Sequence, residues 1–179
     1  AAATGGDVIV RNVIPTHLEA ISAKLMESGV TVIEGDDGKE FFMRVKSDGR
    51  PRAVNVKTLP YPGFPTDLQQ PIMAMLTTAA GNSFVMENIF ADRFNQAAEL
   101  RRMGAAITVA GRTAMIEGVP FLTGAPLWAT DLRAGAAMVI AALMAKGESQ
   151  VYNIDYIDRG YENMECKLQA LGASIARVE

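Results

Sequence analysis

Thr66-Asp67-Leu68 and Thr130-Asp131-Leu132 are two copies of one short pattern, and the repeat that they begin decides the fold. Each copy continues to an Asp-Arg pair and then to a leucine-rich segment that ends in Gly-Ala. The offset between the copies drifts from 64 to 66 to 68 residues, which indicates a duplicated unit with small insertions. The later marks are Asp92-Arg93 with Leu100 to Ala105, and Asp158-Arg159 with Leu168 to Ala173.

A third, incomplete copy lies at the front of the chain. In the segment Lys24 to Gly29, Leu25 to Gly29 precede Leu100 to Gly104 by 75 residues, and Gly6 precedes Gly81 by the same 75. Because Gly81 stands where a helix should stop, Ala1 to Gly6 match the end of a helix whose beginning is absent. We therefore expect one domain, 1–179, built of units at about 1–57, 58–123 and 124–179, with the first unit truncated.

Alternation of strand and helix patterns along each unit predicts a mixed α/β (α+β) domain. The run from Ala134 to Ala145 has no polar face, so a helix there must be buried on all sides. We thus expect sheets that enclose central helices. The predicted strands are 8–13, 31–33, 41–45, 53–56, 84–86, 107–109 and 114–116; the predicted helices are 16–27, 66–80, 93–103, 130–145 and 161–171, and unit three is expected to repeat the whole order through Val178.

Composition excludes several classes of function. A net charge of -3 provides no excess of Lys and Arg for broad binding of nucleic acid or anionic membranes. The longest apolar stretch has about 12 residues, whereas a membrane-spanning helix needs about 20. A single cysteine, Cys166, and a single histidine, His17, form neither a disulfide nor a zinc site, which fits a reducing cytoplasm. No nucleotide-loop or metal-binding motif is present, so we predict no cofactor and no metal.

Three arginines stand in or just before the first turn of a predicted helix: Arg93, Arg133 and Arg159. A guanidinium beside a helix N-terminus forms a favourable binding site for a phosphate or carboxylate group. Alternatively, each arginine pairs with its neighbouring aspartate or with a carbonyl and only orders its loop, and duplication would copy that arrangement without any function. The pattern leaves both interpretations open.

Asp67 and Asp131 are candidate N-caps of their helices, with Thr66 as an alternative to Asp67. An aspartate at the mouth of a helix and near several arginines can also stay ionised and accept a proton from a sugar hydroxyl. Capping and proton transfer are compatible, and both remain open for these two residues.

Four blocks in order give the chain a close resemblance to the UDP-N-acetylglucosamine enolpyruvyl transferase family, over essentially all 179 residues. The resemblance implies an inside-out α/β barrel of βαβαββ units around buried helices, in a protein of two such domains with the active site between them. The chain would be the C-terminal domain portion. The blocks are Pro65 to Gln69, Ala91 to Phe94, Ala129 to Ala134 and Ile157 to Glu162.

This family moves the enolpyruvyl group of phosphoenolpyruvate to the sugar 3-hydroxyl and releases phosphate, in the first committed step of peptidoglycan synthesis. By resemblance, Asp67 binds that hydroxyl and accepts its proton as the base, and Arg159 binds phosphoenolpyruvate. Asp131 matches an active-site carboxylate. The resemblance further assigns UDP-sugar contacts to Ile89, through its backbone, and to Phe90, and substrate and closure roles to Arg93 and Arg133.

The family's mobile proton-donor loop belongs to the other domain, and Cys166 does not match it. We therefore expect the isolated chain to be inactive, with the missing N-terminal domain as its partner, and self-association could cover faces left open by the cut repeat. Two other interpretations stay open: a noncatalytic nucleotide-sugar-binding or scaffold domain, and an enzyme like the shikimate-pathway enolpyruvyl transferase.

Overall fold

The computed structural model describes residues 1–178, in which strands and helices alternate as a mixed α/β domain. In the first unit, the three strands form one antiparallel sheet in the order β1-β3-β2, and the helix packs on β2 and β3. The elements are β1 (Asp7–Arg11), α1 (Pro15–Glu27), β2 (Thr31–Asp36) and β3 (Phe41–Lys46).

The second unit has the full βαβαββ order. Its sheet runs β4-β5-β7-β6; β4 and β5 are parallel across a helical connection, and the other pairs are antiparallel. The elements are β4 (Val56–Lys57), a 3-10 turn (Thr66–Leu68), α2 (Gln69–Leu76), β5 (Asn82–Met86), α3 (Gln96–Arg102), β6 (Ala106–Ala110) and β7 (Thr113–Glu117). β5 begins 75 residues after β1, as the repeat predicts.

One boundary differs from the prediction. The strand expected over 53–56 is present only as β4, because the amide of Val54 donates to the Ser83 hydroxyl (3.2 Å) and not to a main-chain carbonyl of β5. Since β4 pairs with β5, Val56–Lys57 belong to the sheet of the second unit and not to the first.

The third unit stops short of the predicted order. Its two strands are parallel and form a separate two-stranded sheet. No strand follows the last helix within residues 171–178, and the three sheets of residues 1–178 do not close into a barrel. The elements are β8 (Pro126–Trp128), α4 (Leu132–Met144), β9 (Gln150–Tyr152), α5 (Asp155–Asp158) and α6 (Met164–Ala170).

The two central helices, α2 and α4, pack against each other and supply the middle of the core. Seven of the eight residues of α2 are buried, and α4 is buried on all sides from Ala134 to Val139, which confirms the prediction for that stretch. Beyond Val139 the helix is buried only at Ala141 and is otherwise half-buried. The longest helices of residues 1–178, α1 and α4, have 13 residues, so none is long enough to cross a bilayer.

Candidate active site

Asp67 is the centre of an ion-paired cluster that joins the second and third units. Its Oδ1 accepts a hydrogen bond from Arg133 Nε at 2.5 Å and lies 3.7 Å from a terminal nitrogen of Arg93. The carboxylate nevertheless remains 61% exposed. Two guanidinium groups thus face one accessible carboxylate, and this leaves positive charge available for an anionic ligand.

The prediction that Asp67 caps its helix is wrong. Residues Thr66–Leu68 form a 3-10 turn ahead of α2, whose start has no side-chain cap. Asp67 lies inside that turn and directs its carboxylate to the arginines. The aspartate is therefore free of the helix start, as a proton acceptor for a ligand would need to be.

The prediction for Asp131 is confirmed: it is the N-cap of α4. Its Oδ1 accepts from the main-chain amides of Arg133 (2.8 Å) and Ala134 (3.0 Å). This capping fixes the first turn, from which the Arg133 side chain reaches Asp67. By accepting that hydrogen bond, Asp67 raises the pKa of the Arg133 guanidinium, which stays charged.

Arg93 is held on two sides. A terminal nitrogen donates to Thr66 Oγ1 at 2.7 Å, and the guanidinium lies over the Phe90 ring at 4.3 Å from its centroid. Arg93 lies three residues before α3 and follows Asp92, whose φ of 52° is left-handed. Such a φ is uncommon outside glycine, and it turns the chain so that Arg93 faces the 3-10 turn.

The loop-ordering interpretation of the arginines does not describe these contacts. The Arg93 and Arg133 guanidinium groups bind Asp67 or Thr66 and not the aspartate beside them in sequence. Asp158 likewise pairs with Arg177 (2.6 Å) and not with Arg159.

Glu87 is a site residue that the sequence analysis missed. It follows β5, is only 1% exposed, and accepts four hydrogen bonds. Oε1 accepts from the Thr58 hydroxyl (2.8 Å) and from the amides of Ile89 (2.8 Å) and Phe90 (3.1 Å), while Oε2 accepts from the Thr66 hydroxyl (2.9 Å).

Alternation along the strand was the signal that would have found it. Ser83, Val85 and Glu87 are buried while Phe84 and Met86 are exposed, so the period of two places Glu87 on the inner face. A carboxylate there must have partners. Burial by itself would raise the pKa of Glu87, but the hydrogen bonds from Ile89, Phe90, Thr58 and Thr66 together outweigh it and lower the pKa below its ordinary value.

Ile89 and Phe90, predicted to contact the UDP-sugar, occupy the turn that Glu87 holds. Phe90 is 49% exposed and carries Arg93 on its ring, while Ile89 is half-buried. The turn therefore borders the Asp67 cluster.

Arg159 is not brought into the cluster. It ends the short helix α5, is exposed, and its guanidinium has no hydrogen-bond or ion-pair partner within residues 1–178. The segment nevertheless packs on the start of α4, because a Cβ on Gly160 would lie 2.8 Å from Leu132. Gly135 similarly gives room for Ile157, since a Cβ there would lie 2.5 Å from its side chain. These contacts hold Arg159 on a segment next to the turn that carries Arg133.

No group of three or more metal-binding side chains occurs among residues 1–178. Cys166 is an exposed free thiol in α6.

The sequence and the fold match those of a known family. A family model described as EPSP synthase (3-phosphoshikimate 1-carboxyvinyltransferase) matches residues 1–168. The chain belongs to this family. Among solved structures, the enolpyruvyl transferase NikO from Streptomyces tendae has a TM-score of 0.78 at 28% identity, over 90% of this chain and 36% of its own. EPSP synthase from Acinetobacter baumannii, at 19% identity, has a TM-score of 0.62 over 88% of this chain and 38% of its own, and supports the fold alone.

Within the family, the chain is most informatively compared with UDP-N-acetylglucosamine 1-carboxyvinyltransferases, which confirms the resemblance seen in the motifs. It is 59% identical over 178 residues to enzyme 3 of this name from Caldanaerobacter subterraneus, and 56% identical over 177 residues to that of Clostridium botulinum. These alignments cover 99% of this chain and 42% of each relative. The Desulfofundulus thermocisternus relative is 56% identical, and 71% of its length is covered. The chain thus spans less than half the length of the first two relatives.

Proposed function

We propose that this chain supplies one wall of the active site of a UDP-N-acetylglucosamine enolpyruvyl transferase. The observation that carries the proposal is the exposed Asp67 carboxylate held between Arg93 and Arg133. An ionised carboxylate oriented by two fixed cations can accept a proton, and the remaining guanidinium hydrogens can bind phosphate or carboxylate groups. The names of the relatives favour the UDP-sugar as acceptor.

In the proposed reaction, the proton of the sugar 3-hydroxyl passes to Asp67 as its oxygen bonds to C2 of phosphoenolpyruvate. A proton from a group outside this chain adds to C3. The bond from C2 to the phosphate oxygen then breaks and a proton leaves C3, so the products are the enolpyruvyl ether and inorganic phosphate. Fixed guanidinium groups stabilise charge throughout, because they need no reorganisation.

The other residues receive roles from the same family pattern. The main chain of Ile89 and the ring of Phe90 would contact the UDP-sugar, and Arg93 would support it across the Phe90 ring. Asp131 would act by fixing Arg133 through the cap of α4. Arg159 would grip phosphoenolpyruvate, supported by the packing of Gly160 against Leu132.

The proposal places the reaction in the cytoplasm, as the committed step of peptidoglycan synthesis, with a second domain as partner. The chain alone would then be inactive, because the proton donor for C3 lies elsewhere. No cofactor or metal enters the proposed steps.

A chimera provides the test. In it, this chain replaces the matching segment of the Caldanaerobacter relative, and phosphate release from phosphoenolpyruvate is measured with UDP-N-acetylglucosamine. We expect turnover by the chimera and none by the chain alone. The matched variants are Asp67→Asn, which should abolish most activity, and Asp7→Asn, which removes the exposed Asp7–Arg44 pair (2.6 Å) on the remote first sheet and should not.

Two outcomes would decide against the proposal. Turnover with 3-phosphoshikimate as the preferred acceptor would favour a shikimate-pathway type of enzyme. A folded but silent chimera that still binds the nucleotide sugar would favour a noncatalytic binding domain.

A further inference from the structure

We propose that Glu87 is a positioning residue that sets the UDP-sugar side of the site, a role that rests on the proposed function. Its carboxylate ties together three separate segments: the residue after β4, the 3-10 turn that carries Asp67, and its own turn with Ile89 and Phe90. Each of these contacts is 2.8–3.1 Å long. A single buried side chain therefore fixes the relative placement of the residues assigned to the sugar.

Glu87 itself is not available to a ligand. Four protein donors give hydrogen bonds to its carboxylate, three to Oε1 and one to Oε2, of the about four that a carboxylate can accept. At 1% exposure no substrate atom reaches it. Its effect must therefore pass through the groups that it holds.

The Thr66 hydroxyl carries that effect to Arg93. Its proton is directed at Glu87 Oε2 (2.9 Å), so its oxygen presents a lone pair to the Arg93 nitrogen (2.7 Å). The Phe90 ring beneath the same guanidinium belongs to the turn that Oε1 holds. Both supports of Arg93 thus depend on Glu87.

The Thr58 hydroxyl braces the turn from the other side. It donates to Glu87 Oε1 (2.8 Å) and accepts from the amide of Asn88 (2.9 Å), while the Asn88 side chain donates to the Thr58 carbonyl (3.1 Å). The amides of residues 88, 89 and 90 are therefore all committed to this network. A turn held this way presents the Ile89 main chain in one orientation.

The test uses the active chimera with two isosteric variants, Glu87→Gln and Thr66→Val. Glutamine keeps one oxygen for the turn amides but places an amide group toward Thr66, and valine removes the hydroxyl that links Glu87 to Arg93. We expect either change to raise KM for UDP-N-acetylglucosamine about tenfold, on the scale of one lost charge-assisted hydrogen bond. KM for phosphoenolpyruvate, assigned to Arg159, should stay within about twofold.

Two matched controls separate positioning from general damage. Glu99→Gln changes another buried carboxylate, which accepts from the Trp128 amide at 3.0 Å, and Thr77→Val removes another buried hydroxyl, which donates to the Ala74 carbonyl at 2.7 Å. Neither residue touches the cluster, so both KM values should stay near those of the parent chimera. Equal rises in both KM values for Glu87→Gln, or equal effects of the controls, would overturn the inference.

Hydrogen exchange gives a readout that does not need activity. In Glu87→Gln, a neutral oxygen replaces the carboxylate at the amides of Ile89 and Phe90, and peptides covering residues 86–93 should exchange about tenfold faster; in Glu99→Gln they should not. Unchanged exchange would overturn the inference even if the chimera is active. If the parent chimera is inactive but Glu87→Gln still exchanges faster than the parent, the result would support the ordering of the turn by Glu87 and count against the proposed function.

Discussion

The second and third units carry the same Thr-Asp-Leu pattern, but their aspartates have different partners. In the third unit, the Asp131 carboxylate accepts hydrogen bonds from two main-chain amides at the start of α4. In the second unit, Asp67 leaves the start of α2 without a side-chain cap and binds the arginines instead. Asp131 therefore caps a helix, whereas the Asp67 carboxylate is exposed beside the arginines.

A second difference between the two units lies after the next strand. Glu87 follows β5, and Asn153 occupies the corresponding place after β9. Glu87 is buried and binds the Thr66 hydroxyl, whereas Asn153 is exposed and donates one bond of 3.3 Å to the Ala129 carbonyl. Thr66 therefore belongs to the hydrogen-bond network of Glu87, and the 3-10 turn that begins at Thr66 places Asp67 beside Arg133. The two copies of the pattern thus differ in whether a buried carboxylate follows the next strand.

The largest effect should separate the two aspartates in catalysis. In the active chimera, Asp67→Asn should lower kcat about 10²–10⁴-fold, the usual range for loss of a positioned proton acceptor. Asp131→Asn should lower it less than about tenfold, because asparagine still caps a helix and keeps Arg133 in place. Steady-state kinetics at saturating substrate measure both. Equal losses would mean that the two copies share the chemistry.

The second effect concerns the residues that follow β5 and β9. Glu87→Ala leaves two amides and two hydroxyls without their buried acceptor and should cost about 3 kcal/mol of unfolding free energy. Asn153→Asp removes one long hydrogen bond at an exposed residue and should cost less than about 1 kcal/mol; aspartate also tolerates the φ of 60° found there. Urea unfolding of the chain measures the change in unfolding free energy for both variants. Similar costs would contradict the contrast between the two units.

The architecture could be predicted because it depends on periodicity and repetition. The 75-residue offset predicts where β5 starts relative to β1, and the apolar run from Ala134 to Ala145 predicts the central helix α4. The strands expected after α6 are absent within residues 171–178, since a repeat in sequence does not by itself provide a sheet for them to join. A local pattern predicts an element, whereas pairing depends on residues far along the chain.

The site was predictable only in part, for a similar reason. Asp67, Arg93 and Arg133 were found by their pattern, but the pairing of Asp67 with Arg133 spans 66 residues and depends on the packing of α2 against α4. Asp67 was misassigned as a cap because the pattern does not reveal that Thr66 binds Glu87. Arg159 copies Arg93 in sequence, but its segment lacks a counterpart to the Thr66–Glu87 hydrogen bond.

A smaller effect should reverse the order of the two aspartates in stability. Asp131→Ala removes a helix cap and should lower the unfolding free energy by about 1 kcal/mol. Asp67→Ala breaks a largely exposed ion pair and should change it by less than about 0.5 kcal/mol. Thermal or urea unfolding of the chain tests this. If Asp67→Ala proves as costly as Asp131→Ala, Asp67 supports its own helix after all.

The smallest effect is a response to acid that Glu87 should show and its counterpart in the third unit, Asn153, should not. Because hydrogen bonds hold the pKa of Glu87 below its ordinary value of 4.5, its ionised form stabilises the fold above that value, and the stabilisation is lost as the pH falls through the lowered pKa. The difference in unfolding free energy between the parent chain and Glu87→Gln should therefore be constant from pH 6 to 8 and shrink below about pH 4.5. Its slope is at most about 1.4 kcal/mol per pH unit, since one proton is bound.

Subtracting the variant isolates Glu87 from other acids. Asp7, Asp37 and Asp158 also have lowered pKa values, through Arg44, through the amides of residues 39 and 40, and through Arg177, but they are common to both chains and cancel. Asn153 cannot titrate, so Asn153→Gln should give a difference that does not vary over the same pH range. A flat difference for Glu87→Gln would mean that Glu87 binds its proton equally in the folded and unfolded chains. The four hydrogen bonds would then not favour its ionised form, and the distinction between the two units would rest on geometry alone.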